Sequence, residues 1–136
     1  QYNYSRMLGR NETVTAQIAL AEFMKHTMAM IYLLNRSYAP FYKWMHHGVR
    51  QLPCLGMTVS DLLQQMTAYP AAGMEEQAYY VHKIELMQQI CALLVTELHR
   101  QGLSHSQDSF LVEQGLQVHK CISHEGLRNT NPWVER

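Results

Sequence analysis

The segment that decides the fold is Ile18–Leu34, which reads IALAEFMKHTMAMIYLL and is the most apolar stretch of the 136-residue chain. Its apolar side chains fall on nearly all sides of a helix, and such a helix belongs at the centre of a bundle. Glu22, Lys25 and His26 interrupt the run, and three ionisable groups in the middle of a span are costly in lipid. The segment therefore predicts a buried core helix and not a membrane helix.

Further amphipathic patterns predict an all-α fold, an antiparallel bundle of about five helices joined by short connections. Asn11 is the predicted N-cap of a helix over 13–35, and Pro40 lies in the first turn of a helix that ends before Pro53. The apolar stripe of this second helix consists of Phe41, Trp44, Met45, Gly48, Val49 and Leu52. Thr58 and Asp61 form a capping box that opens a short helix. Gly102 stops a helix over 74–100, and a last helix has as its apolar positions Phe110, Leu111, Gly115, Val118 and Ile122.

The chain as a whole, 1–136, is predicted to be a single helical domain. Residues 1–10 have the pattern of the last turns of a preceding helix with Gly9 as C-cap, residues 11–122 form the bundle, and 123–136 an irregular tail. Because the chain begins at Gln1 inside this helical pattern, we expect it to be the C-terminal part of a larger protein.

Composition is that of a globular protein, with 47% hydrophobic and 16% charged residues. The net charge is zero, yet residues 1–60 hold six basic and two acidic side chains, and residues 61–136 hold five basic and nine acidic ones. The three cysteines are odd in number, and residues 1–20 do not have the charged-then-apolar pattern of a signal peptide. Reduced thiols in a cytoplasmic protein without a membrane partner are the expectation.

Self-contained chemistry has little support in the sequence. His119, Cys121 and His124 spell H-x-C-x-x-H, but they point to different sides of a helix and lack a fourth ligand, so we predict no metal site. No Gly-rich phosphate loop and no nucleophile elbow occur. Arg100 and His105 have the R-x4-H spacing of HEPN-like RNases, in which such a pair supplies a phosphate-binding cation and a base.

A polar strip on the apolar helix is the remaining candidate site. Glu22, Lys25, Ala29, Tyr32 and Arg36 recur at three- and four-residue steps and are predicted to share one face, with Lys43 and Arg50 nearby. One interpretation is a solvent-facing ion pair between Glu22 and Lys25. The other is a groove that binds an anion.

A family resemblance covers most of the chain. The stretches QYNYSRMLGR (1–10) and AEFMKHTMAMIYLLNRSYAPFYKWMHHG (21–48) resemble the C-terminal helical domain of an uncharacterised bacterial family of nucleotidyltransferase-like proteins, a domain of unknown function. Similarity continues more loosely to about Arg128. The resemblance implies a polymerase-β-like catalytic domain upstream, with a Gly-Ser loop and paired acidic metal ligands, neither of which occurs in these 136 residues.

The resemblance further implies a substrate-binding or lid domain without activity of its own, so that NTP and Mg²⁺ bind only with the catalytic domain. Lys25, Arg36 and Lys43 would then attract phosphate, while Glu22, Tyr32 and Tyr42 shape the acceptor side, with Glu22 as the candidate base. The partners would be the chain's own N-terminal domain and a nucleotide or small-molecule acceptor. Two alternatives stay open, a protein–protein interaction module with a homodimer among its forms, and the HEPN-like RNase.

Overall fold

The computed structural model describes residues 2–134, which contain seven helices and no strand. The all-α prediction is confirmed. One short helix, α7, lies in the segment that we predicted to be an irregular tail. In chain order the helices are α1 (Tyr2–Gly9), α2 (Thr13–Leu34), α3 (Tyr42–Val49), α4 (Gly56–Thr67), α5 (Glu76–Arg100), α6 (Leu111–Lys120) and α7 (Glu125–Arg128).

The chain divides into two compact units, residues 1–90 and residues 91–136, and the division falls within α5. In the first unit α1 packs against α2, α2 against α3, and α3 against α4. Its core is mainly apolar, with Thr27, Ser60 and Lys83 as buried polar residues, and the largest side chains that are fully buried there are Tyr4, Ile31, Met66, Leu86, Met87 and Ile90.

Burial of α2 is one-sided. Ala16, Leu20 and Ile31 lie in the core, but Val14 and Leu33 are 73% and 68% exposed. The prediction of a buried core helix is therefore wrong for part of α2, because only one face of the helix meets its neighbours within the described residues. The other face leaves apolar side chains in contact with solvent.

The C-terminus of α2 ends in a Schellman motif in which arginine takes the place usually held by glycine. Arg36 has φ +54°, its N–H donates to Leu33 O (2.9 Å), and the Ser37 N–H donates to Tyr32 O (3.0 Å). Because Arg36 lies beyond the last helical residue in a left-handed conformation, it does not continue the face of α2. The predicted strip of five side chains on one face is wrong at this position.

The same motif ends α1 and α5. Gly102 has φ +70° and stops α5 as predicted. After α1 the left-handed residue is Asn11 (φ +59°), with the Glu12 N–H donating to Met7 O at 2.9 Å. Asn11 therefore belongs to the C-terminal motif of α1 and is not the N-cap that we predicted for α2. Gly9, the predicted C-cap, is the last helical residue of α1.

The entry into α3 differs from the prediction. This helix begins at Tyr42, two residues after Pro40, and its buried side chains are Met45 and Val49. Phe41 and Trp44, which we expected on the same apolar stripe, are both 66% exposed. Their exposure leaves aromatic surface on this unit.

The start of α4 differs from the predicted capping box of Thr58 and Asp61. No Thr58 capping box forms, since α4 begins at Gly56 after Leu55, which has φ +61° and no side-chain cap. Gly56 is required here because a Cβ would overlap the carbonyl oxygen of Val49. The end of α3 and the start of α4 therefore approach each other closely.

One amide ties the two ends of this region together. Asn35 donates from Nδ2 to the carbonyl oxygens of Ile31 (2.8 Å) and Cys54 (2.9 Å), and its Oδ1 accepts from the Cys54 N–H at 2.9 Å. This Asn35–Cys54 clasp joins the C-terminus of α2 to the connection between α3 and α4. It therefore holds together the two ends of residues 36–53, the segment that contains α3.

In the second unit a buried polar cluster organises the connection before α6. Gln114 is completely buried, and its Nε2 donates to the carbonyl oxygens of Asp108 (2.5 Å) and Ser106 (3.2 Å). Its Oε1 accepts a hydrogen bond from Ser104. The apolar positions predicted for this helix are only partly covered, since Leu111, Val118 and Ile122 are half-buried and Phe110 is 64% exposed. The buried residue of α6 is Gln114.

Candidate functional site

A groove of ≈ 420 Å³ lies between α2, α3 and α4, within the first unit. This volume is in the range that accommodates a small organic ligand. The groove is lined from α2 by Ala21, Glu22, Met24, Lys25 and Met28, from α3 by Tyr42 and His46, and from α4 by Leu63, Gln64 and Thr67.

The lining combines a mainly apolar surface with a few polar groups, which is the usual character of ligand sites. Met24 and Met28 come from α2, and Leu63 faces them from α4, where it is almost completely buried. Methionine side chains are flexible and polarisable, so they adapt to ligands of different shape. Such a surface is suited to apolar groups of different shape.

The principal charges at the groove are Glu22 and Lys25, which form an ion pair one turn apart on α2. Lys25 Nζ lies 2.7 Å from Glu22 Oε2, and both side chains remain about half exposed. The hydrogen bond from Lys25 lowers the pKa of Glu22. A general base works best with a pKa near the operating pH, so this pairing makes Glu22 a weaker base and fits a binding role better.

A hydrogen-bonded network behind the groove orients two of its polar groups. Arg50 donates from Nε to Ser60 Oγ (3.0 Å) and from Nη2 to Gln64 Oε1. Ser60 Oγ lies 3.0 Å from His46 Nε2. Ser60 is completely buried, so it does not reach a ligand as a nucleophile. The network instead holds His46 and Gln64 in the groove wall.

The structure brings together three of the six residues that the sequence singled out. Glu22, Lys25 and Tyr42 line the groove. Tyr32 does not, because it is buried, which raises its pKa, and its hydroxyl donates to Met45 O at 3.2 Å. Arg36 and Lys43 are exposed and lie outside the groove lining.

Sequence reasoning missed His46, Gln64 and the apolar groove residues Met24, Met28 and Leu63. Met24 and Met28 were visible as helical apolar positions, but this pattern does not distinguish a groove from a core. Gln64 and Leu63 line the groove only because α4 packs beside α3. No local pattern in the sequence indicates this contact between the two helices.

The other sequence candidates have local partners in the structure. Arg100 is bound to Glu97 on the same helix by two hydrogen bonds of 2.6 and 2.8 Å, and Gly102 ends α5 before His105. His119 Nε2 lies 3.0 Å from Arg128 O. Among residues 2–134 no group of three or more His, Cys, Asp or Glu side chains is placed to hold a metal ion.

Comparison with known proteins gives one match. The model of a family described as "Domain of unknown function (DUF4037)" matches residues 1–45, about one third of the chain, from α1 to the middle of α3. Neither the curated proteins nor the solved structures gave a match. None of the helices in the described part of the chain has the length and apolar content that a membrane crossing requires.

Proposed function

We propose that the first unit is the substrate-binding part of a nucleotidyltransferase-like protein and that its groove holds a small organic acceptor. The observation that carries this proposal is the groove itself, in which three helices surround an apolar surface with the Glu22–Lys25 pair among its lining residues. The chain alone is not the catalyst, because it has no Gly-Ser loop and no D-x-D pair to bind NTP and Mg²⁺.

The groove indicates the chemistry of its ligand. An apolar body would contact Met24, Met28 and Leu63, and a polar or anionic group would reach Lys25 at the edge. A charge-assisted hydrogen bond to Lys25 would be stronger than a neutral one. Glu22 would then orient Lys25 through their ion pair. Tyr42 supplies both an aromatic ring and a hydroxyl group.

The link to nucleotidyltransferases rests on the resemblance of α2 and α3. The family match also falls there, since residues 1–45 include Glu22, Lys25, Tyr42 and Lys43. In this proposal the nucleotide phosphates lie outside the groove, where Arg36 and Lys43 are exposed. An upstream coding sequence with a Gly-Ser loop and a D-x-D pair would support the link. An upstream sequence without them would contradict it.

The test uses 1-anilinonaphthalene-8-sulfonate, which combines fused apolar rings with a sulfonate and fluoresces when it enters an apolar site. Titrated into the folded chain, this probe should saturate at one molecule per chain. Replacing Lys25 by Ala should weaken binding about tenfold or more, because one hydrogen bond to a charged group contributes about 1.5–3 kcal/mol. Ala21→Trp, which adds a ring to the groove from an exposed position, should abolish the saturable signal.

Val112→Ala is the control, since Val112 is exposed in the second unit and should leave probe binding unchanged. Circular dichroism melts of all variants establish that they are folded. Probe binding that is equal in wild type, Lys25→Ala and Ala21→Trp would show that the dye binds elsewhere and would refute the groove as a ligand site.

A further inference from the structure

A second surface of the first unit carries exposed aromatic rings. We refer to residues 36–47 as the aromatic–basic segment. Its rings are largely in solvent, with Tyr38 98%, Phe41 66%, Tyr42 60% and Trp44 66% exposed. Phe41 and Tyr42 are in contact, with ring centroids 4.5 Å apart. The contacting Phe41–Tyr42 pair forms a continuous exposed apolar surface, which marks a binding site more often than singly exposed rings do.

The charge of this segment is uniformly positive. Arg36, Lys43 and His47 are exposed, and no aspartate or glutamate occurs anywhere between residues 23 and 60. Within the part of the chain that the structure describes, neither Arg36 nor Lys43 forms an ion pair with a carboxylate. Both cations are therefore available to an anion from outside.

The aromatic–basic segment is also anchored. Arg36 is held by the Schellman motif at the end of α2, and the Asn35–Cys54 clasp fixes both ends of the region. Trp44 lies on α3 next to the buried Met45. The two ends of the segment are therefore fixed, and Lys43 and Trp44 project from the helical backbone of α3, which reduces the entropy lost when a ligand binds.

We propose that the aromatic–basic segment binds single-stranded nucleic acid. Unpaired bases stack on exposed aromatic faces with little sequence preference, and cations beside the rings follow the phosphates. An acidic peptide would use the cations but has no general requirement for four exposed rings. This inference goes beyond the proposed function, since Tyr38, Phe41 and Trp44 have no part in it. The two proposals share Tyr42, which also lines the groove, and the cations Arg36 and Lys43, which a nucleotide or a nucleic acid would engage through the same phosphate chemistry.

The experiment exploits the tryptophan content of the chain, which has only Trp44 and Trp133. In the Trp133→Phe variant, Trp44 is the sole indole and reports directly on stacking. An unlabelled oligothymidylate of about twelve nucleotides, within the span of known single-strand sites, should quench its fluorescence saturably. The dissociation constant is then measured from the anisotropy of the fluorescein-labelled oligonucleotide.

Substitutions separate stacking from charge. Trp44→Ala should weaken binding about five- to a hundredfold, the range for loss of one base–aromatic contact. Arg36→Gly removes a cation at a left-handed position that glycine prefers, so folding is not at risk. Combined with Lys43→Ala, it should reduce the slope of log affinity against log salt by about 1.4, since each single-strand phosphate contact contributes about 0.7.

Matched controls lie in the second unit. Trp133→Ala and Lys120→Ala remove an exposed indole and an exposed ammonium group there and should leave affinity unchanged. An oligoglutamate peptide of equal charge should not quench Trp44. The proposal is overturned if the oligonucleotide does not bind, if binding survives Trp44→Ala and the double charge variant unchanged, or if oligoglutamate binds equally well.

Discussion

Gly48 and Tyr32 should be energetically coupled across the interface between α2 and α3. A Cβ built on Gly48 overlaps the Tyr32 hydroxyl oxygen and lies 3.3 Å from Cζ. Gly48→Ala must therefore displace a tyrosine that is only 6% exposed and break its hydrogen bond to Met45 O. Overpacking of this kind costs about 1–3 kcal/mol, and the lost hydrogen bond adds about 1 kcal/mol.

Alanine also gains helix stability over glycine, by about 0.5–1 kcal/mol. The expected net loss for Gly48→Ala is therefore about 1–3 kcal/mol in the free energy of unfolding. In the Tyr32→Phe background the clashing oxygen is absent, and the same substitution should be close to neutral. The double-mutant cycle should then give a coupling of at least about 1 kcal/mol, well above the additivity limit for independent sites.

Urea unfolding followed by far-ultraviolet circular dichroism measures all four corners of this cycle. Gly115→Ala on α6 is the control, because nothing lies within 4 Å of its added Cβ, and it should be stabilising by about 0.5–1 kcal/mol. Additive effects of Gly48→Ala and Tyr32→Phe, within about 0.5 kcal/mol, would refute the packing described between these helices.

Two further predictions concern buried polar groups. The Tyr4 hydroxyl is buried without a hydrogen-bond partner, so Tyr4→Phe should stabilise the chain by about 1 kcal/mol or more in thermal melts, and a loss of stability would show an unseen partner. Burial, then the nearby Tyr80 and Tyr79, raise the pKa of Tyr4 to about 12. Ionisation of Tyr4 therefore has no effect on stability below pH 10 and lowers the free energy of unfolding as the pH rises from 10 through 12, so the wild type should lose stability there more steeply than Tyr4→Phe. Gln114→Leu should lower the free energy of unfolding by at least about 2 kcal/mol and speed amide exchange in the connection before α6. Gln107→Leu, at an exposed position, should be neutral. Equal melting temperatures for the two variants would contradict the role of Gln114.

Helix termini show how far sequence reasoning reaches. Gly102 was predictable as the end of α5, because glycine prefers the left-handed conformation that a Schellman motif requires. Arg36 occupies the equivalent position after α2, but arginine has no preference for the left-handed conformation. The end of α2 is therefore set by tertiary contacts and not by the residue at this position. Asn11 was ambiguous, since asparagine serves both as N-cap and as left-handed residue. The all-α class was nevertheless clear from the helical periodicity alone.

The candidate site was only partly visible for a related reason. Glu22 and Lys25 are three residues apart on one helix, and this spacing alone places them together. His46 and Gln64 join them through contacts between α3 and α4, which no local pattern specifies. The exposure of Trp44 was missed because periodicity identifies an apolar stripe but does not show how much of it a neighbour covers.

The hydrogen bonds of the Asn35–Cys54 clasp restrict substitution at position 35 more than at position 54. Both bonds from Asn35 to residue 54 reach backbone atoms, so the clasp itself does not depend on which side chain residue 54 carries. At residue 35 the clasp needs a donor and an acceptor on a short side chain. Aspartate lacks the amide donor, and glutamine has the same groups one methylene further out. For the clasp alone, random mutagenesis with selection for folded protein should therefore accept more residues at 54 than at 35.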